Sequence, residues 1–274
     1  MKTRLLVLID FSPYSETLLK LATRWGRVMD ARLVLVHHLT VAVPAMADTS
    51  TRLHLEENAK ADALNKLRNL AGNIVSSQRN VRYHVTKNNL VVALNELSGP
   101  EFYDVVMLGL KGAGFFKKFF IGSTATKIME DTNNLTVAVP ENLTGLLPEK
   151  IVVALHYKFP LNENSFSTLL SQFNAEVKHL EFISVVTPAD NEAENSRYVS
   201  KISAQYGELI PTTFKIFQSD DVLAEIKTFV HTQGQHSFLV VQKGPRTLTD
   251  RLFRDYFIND LLDDGSMPLI ILPL

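Results

Sequence analysis

Apolar residues along this chain fall into short, unbroken runs separated by longer segments in which they recur at helical spacing. The runs Arg4–Ile9, Arg32–His37, Val81–Val85, Asp104–Leu108 and Leu135–Val139 are rich in Val, Ile and Leu, as strands buried on both faces are. Between them lie amphipathic stretches such as Pro13–Met29 and Thr51–Val75, long enough for crossover helices. In the second of these, HLEENAKADALNKL mixes acid and base at helical spacing, which predicts a solvated helix face. Strand and helix alternate throughout, so the pattern predicts an α/β fold. Its parallel sheet would be covered on both faces, with ligands at the carboxyl ends of the strands.

The same pattern then starts again. RLLVLI near the N-terminus is matched by KIVVAL from Lys150, after the linker-like PENLTGLLPEK, and LTVAVP at Leu135–Pro140 is matched by PLIILP at Pro268–Pro273. A repeat on this scale predicts two similar units, one over residues 1–141 and one over 149–274. Each would be a five-stranded, doubly wound domain. TVAVP and LIILP each end a unit as short apolar strands, and an exposed apolar edge invites pairing with another edge. The two final strands are therefore expected near a common two-fold axis, in a pseudo-dimer within one chain.

One stretch concentrates candidate chemistry. GLKGAGFFKKFFIGSTATK, Gly109 to Lys127, follows the fourth run directly. It reads either as a loop that needs positive φ or as a cradle of backbone N–H groups for an anion, closed by a helix N-terminus at Gly122-Ser123. Phe115 stands where a Walker loop requires Lys. The glycines are also too widely spaced for the dinucleotide fingerprint. Asp10 closes the first run in IDFSPYSE, where Ser12 is expected to cap the next helix and Pro13 to open it. Asp10 is either a turn residue or a carboxylate facing the glycine stretch across the switch point of the sheet. There it can accept from ribose hydroxyls or hold Mg²⁺. Lys117 and Lys118 offer countercharge, and the pairs Phe115-Phe116 and Phe119-Phe120 are expected to pack in the core.

Composition narrows the field. The formal charge of −1 over 274 residues lacks the basic footprint of nucleic-acid binding. With no cysteine, disulfides, thiolate metal sites and a Cys nucleophile are excluded. LLVLI before Asp10 is too short for a signal-peptide core, and no apolar run approaches a membrane span, so the expected compartment is the cytoplasm, without membrane or nucleic-acid partners. The eight histidines show no ligand spacing, and the pair His37-His38 is expected to be structural. No G-x-S-x-G elbow is present.

Asp10-x-Ser12-x-x-Ser15 together with Gly109-x2-Gly112-x9-Gly122-Ser123 resembles the universal stress protein family in its ATP-binding branch, as a tandem two-domain member. The resemblance implies an adenine nucleotide alpha hydrolase-like fold and an ATP-binding (or AMP- or ADP-binding) stress-response module with little or no catalysis. It places Asp10 near ribose and adenine, the backbone around His38 at the adenine edge, and Leu108 and Gly109 beside the nucleoside. Gly112, Gly122, Ser123 and Thr124 would face the phosphates. It also implies dimerisation through the fifth strand; a homodimer of whole chains and an unidentified protein partner stay open. The second unit departs from the motif. His156 falls where Asp10 stands, the stretch after its fourth strand reads VVQKGPRTLTDRLFRDYFINDLL, and Asn259-Asp260 replaces the Gly-Ser pair. A carboxylate there repels phosphate, so the second unit is expected to have lost the nucleotide site. The alternative function is a nucleotide-independent scaffold or small-ligand sensor.

Overall fold

In the computed structural model, which describes residues 1–76, 80–110, 123–234, 236–244 and 267–274, the strands form one ten-stranded sheet. The first five strands are β1 (Lys2–Leu8), β2 (Arg32–His38), β3 (Val81–Thr86), β4 (Phe102–Gly109) and β5 (Leu135–Val139). The last five are β6 (Lys150–Ala154), β7 (His179–Val186), β8 (Thr212–Gln218), β9 (Ser237–Gln242) and β10 (Leu269–Leu272). Their order across the sheet is β3-β2-β1-β4-β5-β10-β9-β6-β7-β8. Each half therefore repeats one doubly wound order, and all pairings within a half are parallel.

The halves join where β5 and β10 run antiparallel, Leu269 opposite Ala138 and Ile271 opposite Thr136. This is the edge-to-edge contact that the two apolar final strands predict, and it removes both exposed edges at once.

The described helices are α1 (Tyr14–Val28), α2 (Thr49–Ile74), α3 (Leu90–Leu97), α4 (Ser123–Asp131), α5 (Glu163–Gln172), α6 (Glu192–Gly207) and α7 (Val222–His231). Alternate strand residues feed two cores. Leu5, Val7, Ile151 and Val153 meet α1, α2, α5 and α6 on one face, while Leu6, Val106, Val152 and Leu239 meet α3, α4 and α7 on the other. Both cores run through the seam, so neither half buries its apolar surface alone. As expected from its charge pattern, α2 is largely solvated, with Ala63, Leu67 and Ala71 as its buried residues.

Trp25, the sole tryptophan of the chain, shows how tightly the halves are joined. It is fully buried, and its ring lies edge-on to Phe173 at 4.7 Å and tilted to Phe238 at 5.8 Å, both in the second half. Its indole N–H donates to the Leu146 carbonyl at 3.1 Å, and Thr17 Oγ1 donates to the Glu141 carbonyl at 3.0 Å. The connecting segment is thereby laid along α1. Aromatic pairs of this geometry contribute beyond their buried area.

Candidate functional site

The order of each half reverses beside its first strand, and in the first half the crevice opens between the carboxyl ends of β1 and β4, where doubly wound sheets bind ligands. Asp10 lies just past β1. Its Oδ1 accepts from the Ser12 amide at 2.9 Å and the Ser15 hydroxyl at 3.0 Å, which fixes the turn and holds the carboxylate at an exposed position.

This corrects the expectation for Ser12. The N-cap of α1 is Pro13, with no side-chain cap bond, and the Ser15 amide that a capping Ser12 side chain would serve donates to the Ser12 carbonyl at 3.0 Å. The Ser12 hydroxyl is instead buried, 7% exposed, without a hydrogen-bond partner among the described residues. An orphaned buried hydroxyl costs about 1–3 kcal/mol.

Phe11 and Tyr14 also belong to this crevice, and sequence reading missed both. Phe11 adopts φ 60, a left-handed conformation that costs a non-glycine residue about 1–2 kcal/mol. Its half-exposed ring lies 4.6 Å from His37. Strain of this kind gathers at functional edges, but no sequence signal marks a phenylalanine there. Tyr14 faces Gly109, where an added Cβ would meet the Tyr14 Cβ at 2.8 Å; only glycine lets α1 approach β4 so closely. Burial, then the neighbouring Glu141 carboxylate, pushes the Tyr14 phenol up to about 12.

The other expected residues are distributed along the same edge. His38 ends β2 and is exposed, in register with Thr86. Its neighbour His37 has Nδ1 2.7 Å from the Ile9 carbonyl, a structural bond, and no group of three metal-ligating side chains occurs among the described residues. Leu108 is buried in the sheet opposite Ala138. Ser123 opens α4 and Thr124 follows it, exposed, at a helix N-terminus that is electropositive by its peptide dipoles. Gly112, Gly122, Lys117, Lys118 and the four phenylalanines between residues 115 and 120 lie outside the described residues, as does Asn259-Asp260.

Backbone bonds identify the counterparts in the second half. Ile9 N donates to Val36 O at 2.8 Å, as Leu155 N does to Ile183 O, and Leu110 N donates to Val139 O as Lys243 N does to Leu272 O. His156 therefore stands for Asp10, Gln242 for Gly109 and Lys243 for Leu110.

Here the polar groups serve one another. Gln242 Oε1 accepts from the Asn162 amide at 2.7 Å, and its Nε2 donates to the Pro273 carbonyl at 2.9 Å, so the side chain fills the place that Gly109 leaves to Tyr14. His156 Nε2 is 3.5 Å from Asp190 Oδ2. Asp190 also takes the Lys158 ammonium and the Thr187 amide and hydroxyl at 2.9 and 2.8 Å. Burial works to raise the Asp190 carboxyl, but Lys158 and Thr187 outweigh it and hold the group far below the usual range.

A doubly wound α/β protein with a switch-point crevice is thus defined by fold and geometry. A family model for the Universal stress protein family matches residues 1–140, and the chain belongs to that family, which is one of stress-response proteins. The chain is similar in fold to a universal stress protein from Archaeoglobus fulgidus DSM 4304, with 15% identity, TM-score 0.64, and 99% of this chain and 96% of that one covered. It is also similar to a functionally unknown protein from Pseudomonas aeruginosa PAO1, with 13% identity, TM-score 0.61, and coverage of 100% and 93%. Comparison with curated proteins finds no match. No helix among the described residues is long and apolar enough to cross a membrane.

Proposed function

We propose that the chain is a tandem universal stress protein that binds one adenine nucleotide, in its N-terminal half, and uses the bound nucleotide to alter conformation or partner choice in the cytoplasm, with slow hydrolysis or none. The observation that carries this reading is the contrast between the two crevices. The first presents an exposed, oriented Asp10 carboxylate beside a Ser12 hydroxyl with no partner among the described residues, and the electropositive end of α4. In the second, His156 pairs with Asp190, and Gln242 bonds to Asn162 and Pro273.

Asp10 would accept from ribose hydroxyls and Ser12 would donate, while the helix N-terminus with Ser123 and Thr124 favours phosphate. A single carboxylate is too few ligands for Mg²⁺ alone, so any Mg²⁺ would be shared with phosphate oxygens. One observation favours the alternative, a nucleotide-independent scaffold or sensor: packing against Tyr14 is by itself sufficient reason for glycine at 109.

Native mass spectrometry of protein purified without added nucleotide, followed by calorimetric titration with ATP, separates the two. Co-purified adenine nucleotide or saturation at one ATP per chain is expected. Saturation at two would restore the second site, and no binding at millimolar ATP would leave the scaffold reading.

A further inference from the structure

We propose that Lys243, in the second half, is a positioning residue for the nucleotide site of the first, acting through α4. Lys243 lies just past β9 and is 6% exposed. Its counterpart Leu110 is an ordinary core residue. An ammonium is costly to bury without a partner, so a lysine at this position calls for a specific one.

Its Nζ donates to the Thr132 carbonyl at 2.8 Å, across the seam between the halves. Thr132 directly follows α4 and caps it, with its amide and hydroxyl both donating to the Ile128 carbonyl at 3.1 and 3.0 Å. The last carbonyls of a helix lack partners within it and carry the negative end of its dipole. A buried cation is the strongest single group that can hold that end.

Because β5 and β10 are antiparallel, strand ends of the two halves point in opposite directions across the seam. This brings the carboxyl end of β9 to the base of α4. The helix is nine residues long, about 13 Å from base to tip. Ser123 and Thr124 are at the tip. With Ala125, Ile128 and Met129 seated in the core, fixing the base fixes where the terminal N–H groups point, and the second half, though it has filled its own crevice, thereby sets the phosphate end of the first.

The inference rests on the nucleotide reading above, and its test keeps the two apart. Hydrogen exchange of ligand-free protein and calorimetry with ATP and with adenosine would be compared for wild type, Lys243→Met and Lys243→Arg. Lys243→Met is expected to speed exchange in α4 about tenfold, with α1 unchanged. It should weaken ATP about tenfold while leaving adenosine unaffected, since only phosphates meet the helix tip; Lys243→Arg should restore ATP. Unchanged α4 exchange, or equal loss of ATP and adenosine affinity, overturns the inference. A wild type that binds no ATP overturns the nucleotide reading instead, and exchange then decides the anchoring of α4 alone.

Discussion

The two halves carry the same strand order and the same backbone bonds at their crevices, yet different side chains stand at the matching strand ends. Asp10 and Gly109 in the first become His156 and Gln242 in the second. Gly109 allows helix α1 to close against β4, whereas the Gln242 side chain ties the start of α5 to the residue after β10. A polar group that can satisfy its bonds internally gains nothing from a ligand. One that cannot keeps a penalty which a ligand relieves. The fold is thus compatible with either outcome, and a few side chains at strand ends choose between them.

The comparison assumes that both halves form one folding unit, and the seam tests this hardest. Trp25→Ala removes a fully buried ring that touches Phe173 and Phe238, with an expected loss of about 3–5 kcal/mol. Circular dichroism in urea should show a single transition at lower midpoint. Two separate transitions would mean that the halves fold independently.

Next in size is the exchange of the diverged residues. Asp10→Ala should lower ATP affinity by about 10- to 100-fold, as expected when a charged hydrogen-bonding partner is lost, with a smaller loss of stability from the two turn bonds that Asp10 accepts. His156→Ala should leave ATP binding unchanged. Equal effects of both variants in calorimetry would erase the distinction between the crevices.

The smallest effect is a difference in acid response. Burial lowers the His156 pKa from its ordinary 6.5, against the pull of Asp190, so the unfolded chain binds a proton there more readily than the folded one does. Its contribution is present above about pH 6.5 and is lost as the pH falls from there through the lower folded value. The Asp190 carboxyl is also depressed, from 3.8; its contribution persists to lower pH and is lost only as the pH falls below the ordinary carboxylate range. His156→Ala should flatten the stability-versus-pH curve below about pH 6.5, whereas Asp190→Asn should flatten it only below the ordinary carboxylate range. An unchanged curve would show that the cluster carries no linkage.

The elements and their order were legible in the sequence because period and run length are local properties. β5 falls where Leu135–Val139 predicts, and β1 differs by two residues at its start and one at its end. The pairing of the final strands was legible too, since LTVAV and LIIL have few polar positions to leave at an edge. Asp10, His38, Leu108, Gly109, Ser123 and Thr124 could be placed on one strand edge from the motif alone, because a doubly wound order sends every strand's carboxyl end there.

What the sequence could not disclose depends on groups far apart in the chain. Ser12 has no capping role because the helix starts at Pro13 and the Ser15 amide goes to the Ser12 carbonyl. Gly109 is required by Tyr14, and Gln242 fills its crevice through bonds to Asn162 and Pro273. Lys243 reaches Thr132 across 111 residues. Local pattern determines which segments become strands and helices, because that choice is made by a residue and its near neighbours. Whether a polar group is satisfied or left for a ligand is decided by what packs against it, and only the tertiary structure brings those partners within hydrogen-bond distance.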